Sequence, residues 1–379
     1  MATSYIIDNN DGTLTGQTIN SGLTINGTLT TTELIVNGDY IYNLWEVGSA
    51  GNYSLKTINN SGLDATGNYA IAEGYGTIAS GNTSHAEGAG TIAIGDVSHA
   101  EGDNTTTIGY ASHSEGFQTT TFGDDSHAEG QLTITSGQSS HSEGAYTTTI
   151  GDYSHSEGYT TIAFSDYSHA EGNQTITNGY SSHAEGFFTT THGDYSHAEG
   201  YYTTTSIFGS YSHAEGYYTL ASANTSHAEG IYTTSIGEGS HSEGAYTIAN
   251  GYLSHSEGEL TITNGRASHA EGSGTIAIGN YSHAEGRNST SIGVNSHAEG
   301  ENTIASGTTS FIHSTDSIVI GARSVVLGGQ NITGSTSDTV YMPKVELSEI
   351  GEGVIMKSPD GTRYKLTIAN GGTISITIA

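Results

Sequence analysis

Sixteen copies of Ser-His-(Ala/Ser)-Glu-Gly lie along this 379-residue chain, from Ser84-His85-Ala86-Glu87-Gly88 to Ser296-His297-Ala298-Glu299-Gly300. Serine, histidine and a carboxylate are the components of a nucleophilic triad. A histidine with a glutamate two residues on is a pair of metal ligands, because imidazole and carboxylate suit divalent transition metals. On an extended strand, however, adjacent side chains point to opposite faces. Ser84 and His85 therefore cannot converge on one substrate. His and Glu do share a face, but ions filling layers about 4.8 Å apart would repel one another strongly. No catalytic residue, cofactor or metal site is assigned, and the chain is read as a non-enzyme.

The spacing says what must position these residues. Neighbouring copies lie 14 residues apart, except where Ser206-Ile207-Phe208 adds two and puts His213 16 residues after His197. A period this short marks a solenoid, each repeat being one coil stacked on the last. With His as position 0, position 6 is nearly always Thr (Thr91, Thr105, Thr119, Thr133) and position 8 is always small (Ala93, Thr107, Thr121, Ala163). Two short strands per coil follow, each closed by a turn where Gly is expected to supply positive φ. Ser and Ala/Ser share one strand face, Thr and the small residue share another, and the two small faces meet inside a flattened coil. The two extra residues read as a bulge on one turn.

The register continues in Ala70-Ile71-Ala72-Glu73-Gly74 and in Ser310-Phe311-Ile312-His313 and Ser324-Val325-Val326-Leu327-Gly328. The expected organisation is an all-β chain. Residues 1–68 form a β-rich attachment or shaft segment, 69–329 the roll, and 330–379 a β-rich terminal module. In that module Pro359-Asp360-Gly361 is a turn and Ile374–Ile378 a strand. About eighteen coils give a rod on the order of 85 Å long.

Composition narrows the function. The chain has 54 Gly, 2 Pro, 24 Tyr and no Cys, and a formal charge of −31 from 39 acids against 8 Lys+Arg. A basic surface for nucleic acid is missing, and no disulfide framework is possible. No stretch approaches the ~18 apolar residues of a membrane span. Met1 to Asn10 carries no basic start or long apolar run, so no signal peptide is expected. An extracellular location is the expectation.

The coil Thr91-Ile92-Ala93-Ile94-Gly95-Asp96-Val97-Ser98-His99-Ala100-Glu101-Gly102 resembles the head repeat of YadA-like trimeric autotransporter adhesins. Thr275 to Gly286 matches equally well, and Ser317 to Gly328 in part. The resemblance covers about two-thirds of the chain. It implies a left-handed parallel β-roll, with three chains side by side in a homotrimer. The adhesins' heptad stalk and membrane-anchor barrel have no counterpart. Thr24-Ile25-Asn26-Gly27-Thr28 and Gly353 to Leu366 are instead similar to segments of phage or viral fibres.

In such a trimer the His and Glu columns acquire a role. At the end coils His gives way to Ile71, Phe311 and Val325, and Glu to Leu327, which suggests a desolvated face. The expectation is an inter-chain structural ladder of His85, Glu87, His99, Glu101, His113, Glu115, His127, Glu129, His141, Glu143, His155, Glu157, His169, Glu171, His183 and Glu185. Each His would donate to a Glu of its own or a neighbouring chain, since an unpartnered buried carboxylate is costly. Protonation between about pH 5 and 7 should then alter trimer cohesion.

Tyr153, Tyr195, Tyr201, Tyr202, Tyr217 and Tyr218 recur at the turns. They are read either as rings stacked between coils or as a receptor ridge for a host surface glycan or protein. Thr105-Thr106-Thr107 and its counterparts would, if exposed, resemble an ice-binding array, but Ala at position 8 favours an interior. The combined expectation is a structural fibre or spike subunit on a virion, with virion or filament neighbours at its termini. The alternative is a cellular adhesin or self-assembling extracellular filament.

Overall fold

Most repeats fold into one long and one short strand, as in His141–Ala145 and Thr148–Thr149. At His113–Ser114, His127–Ala128, His269–Ala270 and His283–Ala284 the first strand is itself two residues long. Long strands pair in parallel with long strands and short with short, in strict register: His141 faces His155, Glu143 faces Glu157 and Thr148 faces Ile162. A slip by one residue would turn His and Glu inward, so the register is strongly specified. The computed structural model describes residues 45–57, 64–346, 353–368 and 372–379, and the backbone of two antiparallel strands, Leu34–Val36 and Asp39–Ile41. The fibre-like segment at residues 24–28 lies outside the described residues.

The interior is as thin as the sequence predicts. Ser84, Ala86, Thr91 and Ala93 of one coil are all buried, and the pattern repeats along the rod. Many interior Ser hydroxyls bond to the backbone or to one another: Ser84 Oγ donates to the Gly81 carbonyl (2.7 Å), and Ser142 Oγ to Thr149 Oγ1 (2.7 Å). The position-6 hydroxyls of Thr91 and Thr105, by contrast, are buried without a partner. Thr105 and Thr107 are both fully buried. The exposed Thr array needed for ice binding is therefore not formed, because positions 6 and 8 face inward.

The turns depart from expectation. Gly88 does take a positive φ (+109°), but the second turn glycine, as at Gly95, does not. Gly95 is required for a different reason: a Cβ there would lie 2.0 Å from the carbonyl oxygen of Gly109 on the next coil. Left-handed φ falls instead on non-glycine residues, two per coil, such as Asn104 and Ala111, or Tyr146 and Tyr153. Hydrogen bonds between coils hold them there. The Asn104 N–H donates to the Ala89 carbonyl (2.7 Å) and that of Tyr153 to the Gln138 carbonyl (2.8 Å). Stacking thus offsets a local strain of about 1–2 kcal/mol per residue.

The two-residue insertion is absorbed at the second turn. Ile207 and Phe208 project into solvent, while His197 still pairs with His213 and Thr204 with Leu220. The parallel ladder reaches one coil beyond the repeats at each end, to Leu55 and to Tyr341. At the C-terminal end the core enlarges to Ile312, Val319 and Val326, with Ile332 and Tyr341 packed on it. At the other end Trp45–Val47 pairs antiparallel with Leu55–Thr57. Closed ends of this kind are what a solenoid needs. Beyond the roll, Val354–Lys357, Arg363–Ile368 and Ile374–Ile378 form an antiparallel sheet, with the expected turn at Gly361 (φ +89°). No helix occurs among the described residues.

Candidate functional site

The His and Glu columns occupy the outer face of the long strands, half-buried in the single chain. The sixteen rings stack from His85 to His297, with centroids 4.6 Å apart at His85–His99 and 4.9 Å at His255–His269. They are nearly parallel, 1° apart at His99–His113. Beside them the carboxylates form a second column, and the side-chain-free glycines a shallow open trough along Glu115 to Gly172.

The expected His–Glu hydrogen bond forms within the chain only near the C-terminal end. His283 Nε2 lies 3.0 Å from Glu271 and His297 Nε2 2.8 Å from Glu285; His313, which takes the Glu position of its coil, approaches Glu299 to 2.7 Å. Elsewhere the gap is longer: 3.6 Å at His113–Glu101, 3.5 Å at His127–Glu115 and 3.8 Å at His183–Glu185. Apart from His283 and His297, every Nε2 of the ladder is buried with no hydrogen-bond partner in the chain.

Titration follows from this packing. Burial, reinforced by the imidazoles above and below, pushes His113, His155 and His183 down to about 4. For these three rings the pH 5–7 window expected for free imidazole therefore moves to more acid values. Along the carboxyl column, hydrogen bonding to the neighbouring Glu pushes Glu101, Glu129, Glu157, Glu199, Glu229 and Glu257 up to about 7. The intervening Glu87, Glu115, Glu143 and Glu243 are lowered by the same bonds. From Glu87 to Glu157 raised and lowered carboxyls thus alternate, which relieves the repulsion of stacked charges below about pH 7.

Ligand atoms of His99, Glu101 and His113 lie within 4.8 Å of one another, as do ten comparable groups. Parallel rings about 4.7 Å apart aim their nitrogens side by side rather than at one point. An ion about 2.0–2.1 Å from one nitrogen would sit far off the plane of the next ring. The stack itself thus offers one imidazole per ion.

The six tyrosines do not form one ridge. Tyr153 and Tyr195 belong to the turn before the long strand, while Tyr201 and Tyr217 end long strands and Tyr202 and Tyr218 open the turn after them, at opposite edges of the roll. At the second edge Phe187, Tyr201 and Tyr217 stack about 5.1 Å apart. Phe188, Tyr202, Tyr218, Tyr232 and Tyr246 form a parallel column beside them. Ring faces are occupied by neighbouring rings, so each column presents edges and hydroxyls outward.

One surface was missed at the sequence level because position 9 varies. Ile94, Ile108, Phe122, Ile150, Phe164, Ile236, Ile278, Ile292 and Ile320 are exposed apolar residues just past the short strands, in a row broken by polar residues such as Asn178, His192 and Asn250. The signal was the alternation of Ile at positions 7 and 9, as in Ile92 and Ile94.

A family model for the YadA head domain repeat matches residues 72–98, 86–112, 228–254, 261–282 and 284–310, two copies at a time. No curated protein matches the chain. The matches share one 14-residue register with the observed coils. These stretches of the roll are similar to the YadA head domain repeat, and such repeats point to a structural or adhesive function like that of trimeric autotransporter adhesins.

Proposed function

We propose that the chain is the subunit of a homotrimeric fibre or spike on a virion surface, a rod that holds an adhesive surface away from its particle. The observation that carries this is the unbroken parallel ladder from Leu55 to Tyr341, filled by small side chains. Such an interior leaves no room for a substrate, and sequence variation falls on the surface. The tyrosine edges, with outward hydroxyls, suit a host glycan or surface protein. Electron microscopy of native particles tests the reading: discrete short rods support it, and continuous filaments favour the cellular filament instead.

The exposed Ile and Phe clusters near the two ends of the roll, Ile94 to Phe122 and Ile278 to Ile292, support three copies meeting along the short-strand face, since exposed apolar patches mark interaction surfaces. A second reading places the His and Glu columns between chains, favoured by the unpartnered Nε2 atoms. The chain has no Cys, so single cysteines separate the two. Phe164→Cys cross-links chains in the first arrangement and Glu171→Cys in the second.

A further inference from the structure

The C-terminal sheet has two unlike faces. In an antiparallel pair, residues directly opposite share a face. Val354 faces Leu366, which faces Ile376; Met356 faces Tyr364, which faces Ile378; Ile368 faces Ile374. One face is therefore wholly apolar. Ile368, Ile374, Ile376 and Ile378 on it are 75%, 63%, 64% and 76% exposed. The other face carries Lys357, Arg363 and Lys365, three of the chain's 8 Lys+Arg.

We infer that this sheet is a trimer-registering module, in which three copies of the chain close their apolar faces around a shared core. This rests on the side-by-side trimer proposed above and adds the element that aligns it. The His and Glu columns repeat in every coil from His85 to Glu299, so a slip of one coil changes little along them and they do not by themselves set the axial register of three rods. A single non-repeating module breaks that degeneracy.

Charge selects the occupant. Three cations on the opposite face oppose back-to-back stacking of copies, so only the apolar faces can meet. Three strands about 4.8 Å apart and about five residues long offer roughly 240 Å² per copy in projection. With the relief of side chains, three copies remove on the order of 1,000 Å² or more from water, enough for a specific interface. Neighbouring rods also hold the modules at high effective concentration, which favours their association.

The test uses full-length protein and its lack of Cys. Ile376→Cys under mild oxidation should give a covalent dimer with one thiol left free per trimer, while Thr377→Cys, on the other face, should not. Ile374→Glu with Ile376→Glu should raise the concentration at which trimers dissociate at least tenfold, and Lys365→Glu should not. Sedimentation of the wild type separates the two ideas. A wild-type monomer overturns both the trimer and the module. A wild-type trimer without the Ile376→Cys cross-link, or unaffected by the double Glu variant, overturns the module alone.

Discussion

Gly88 and Gly90 lie two residues apart in one coil and both have positive φ, yet substitution should affect them very differently. At Gly88 φ is +109°, and a Cβ would lie 2.0 Å from the Gly102 carbonyl oxygen and 3.0 Å from its carbon and nitrogen. The backbone conformation alone costs a side chain on the order of 1–3 kcal/mol. The contact is with backbone, so relief requires the coils to separate by more than about 1 Å. That loses at least two ladder hydrogen bonds joining His85–Ala89 to His99–Asp103, each worth about 1 kcal/mol. Gly88→Ala should therefore cost about 3–5 kcal/mol. At Gly90 φ is +67° and the nearest atom is Asn104 Oδ1, the movable end of a side chain. Asn104, Asn288 and Asn302 already occupy the equivalent place with φ of +57°, +54° and +52°. Gly90→Asn should change stability by less than about 1 kcal/mol. Hydrogen exchange is the assay, because damage in a solenoid stays local. In Gly88→Ala, amides of residues 85–103 should exchange more than about a hundredfold faster. Wild-type protection in Gly88→Ala, or equal damage in Gly90→Asn, would refute the reasoning.

Ala198 is fully buried, and Ala198→Leu should overpack the coil at a cost of about 1–3 kcal/mol or more, read as a lowered melting temperature. Acid should act on the two columns in opposite senses. For His113, His155 and His183 the folded value near 4 lies below the unfolded value near 6.5. Their contribution is thus complete above about pH 6.5 and lost as pH falls to about 4, on the order of 1 kcal/mol per ring after solvent screening. Glu101 and its raised counterparts act oppositely, contributing below about pH 4.5 and losing that contribution as pH rises through about 7. Six carboxyls raised to about 7 oppose three rings lowered to about 4, so a variant isolates the rings. With His113→Gln, His155→Gln and His183→Gln together, the midpoint at pH 4 relative to that at pH 6.5, followed by circular dichroism, should rise over the wild type, and no relative rise would contradict this. Tyr218 stacks on Tyr202 at 4.8 Å and Tyr232 at 5.1 Å. Tyr218→Ala should lose about 1–2 kcal/mol in a thermal melt. Tyr218→Asn should lose less, because Asn tolerates left-handed φ.

Much of this protein is written within a single repeat. The 14-residue period, the inward Ser, Ala and Thr, the outward His and Glu, and the harmless insertion at Ile207 and Phe208 follow from strand alternation, which is local. The terminal turn at Pro359 to Gly361 follows in the same way. What only the folded chain decides depends on residues one coil apart. The ring stack and the long His–Glu gaps arise from the rise between coils, not from the spacing of His and Glu within one. Tyr153 and Asn104 adopt left-handed φ because carbonyls of the preceding coil hold them. Gly95 is glycine because the next backbone runs against it. The apolar face at Ile374, Ile376 and Ile378 emerges only once three strands align, since antiparallel register determines which residues stand side by side.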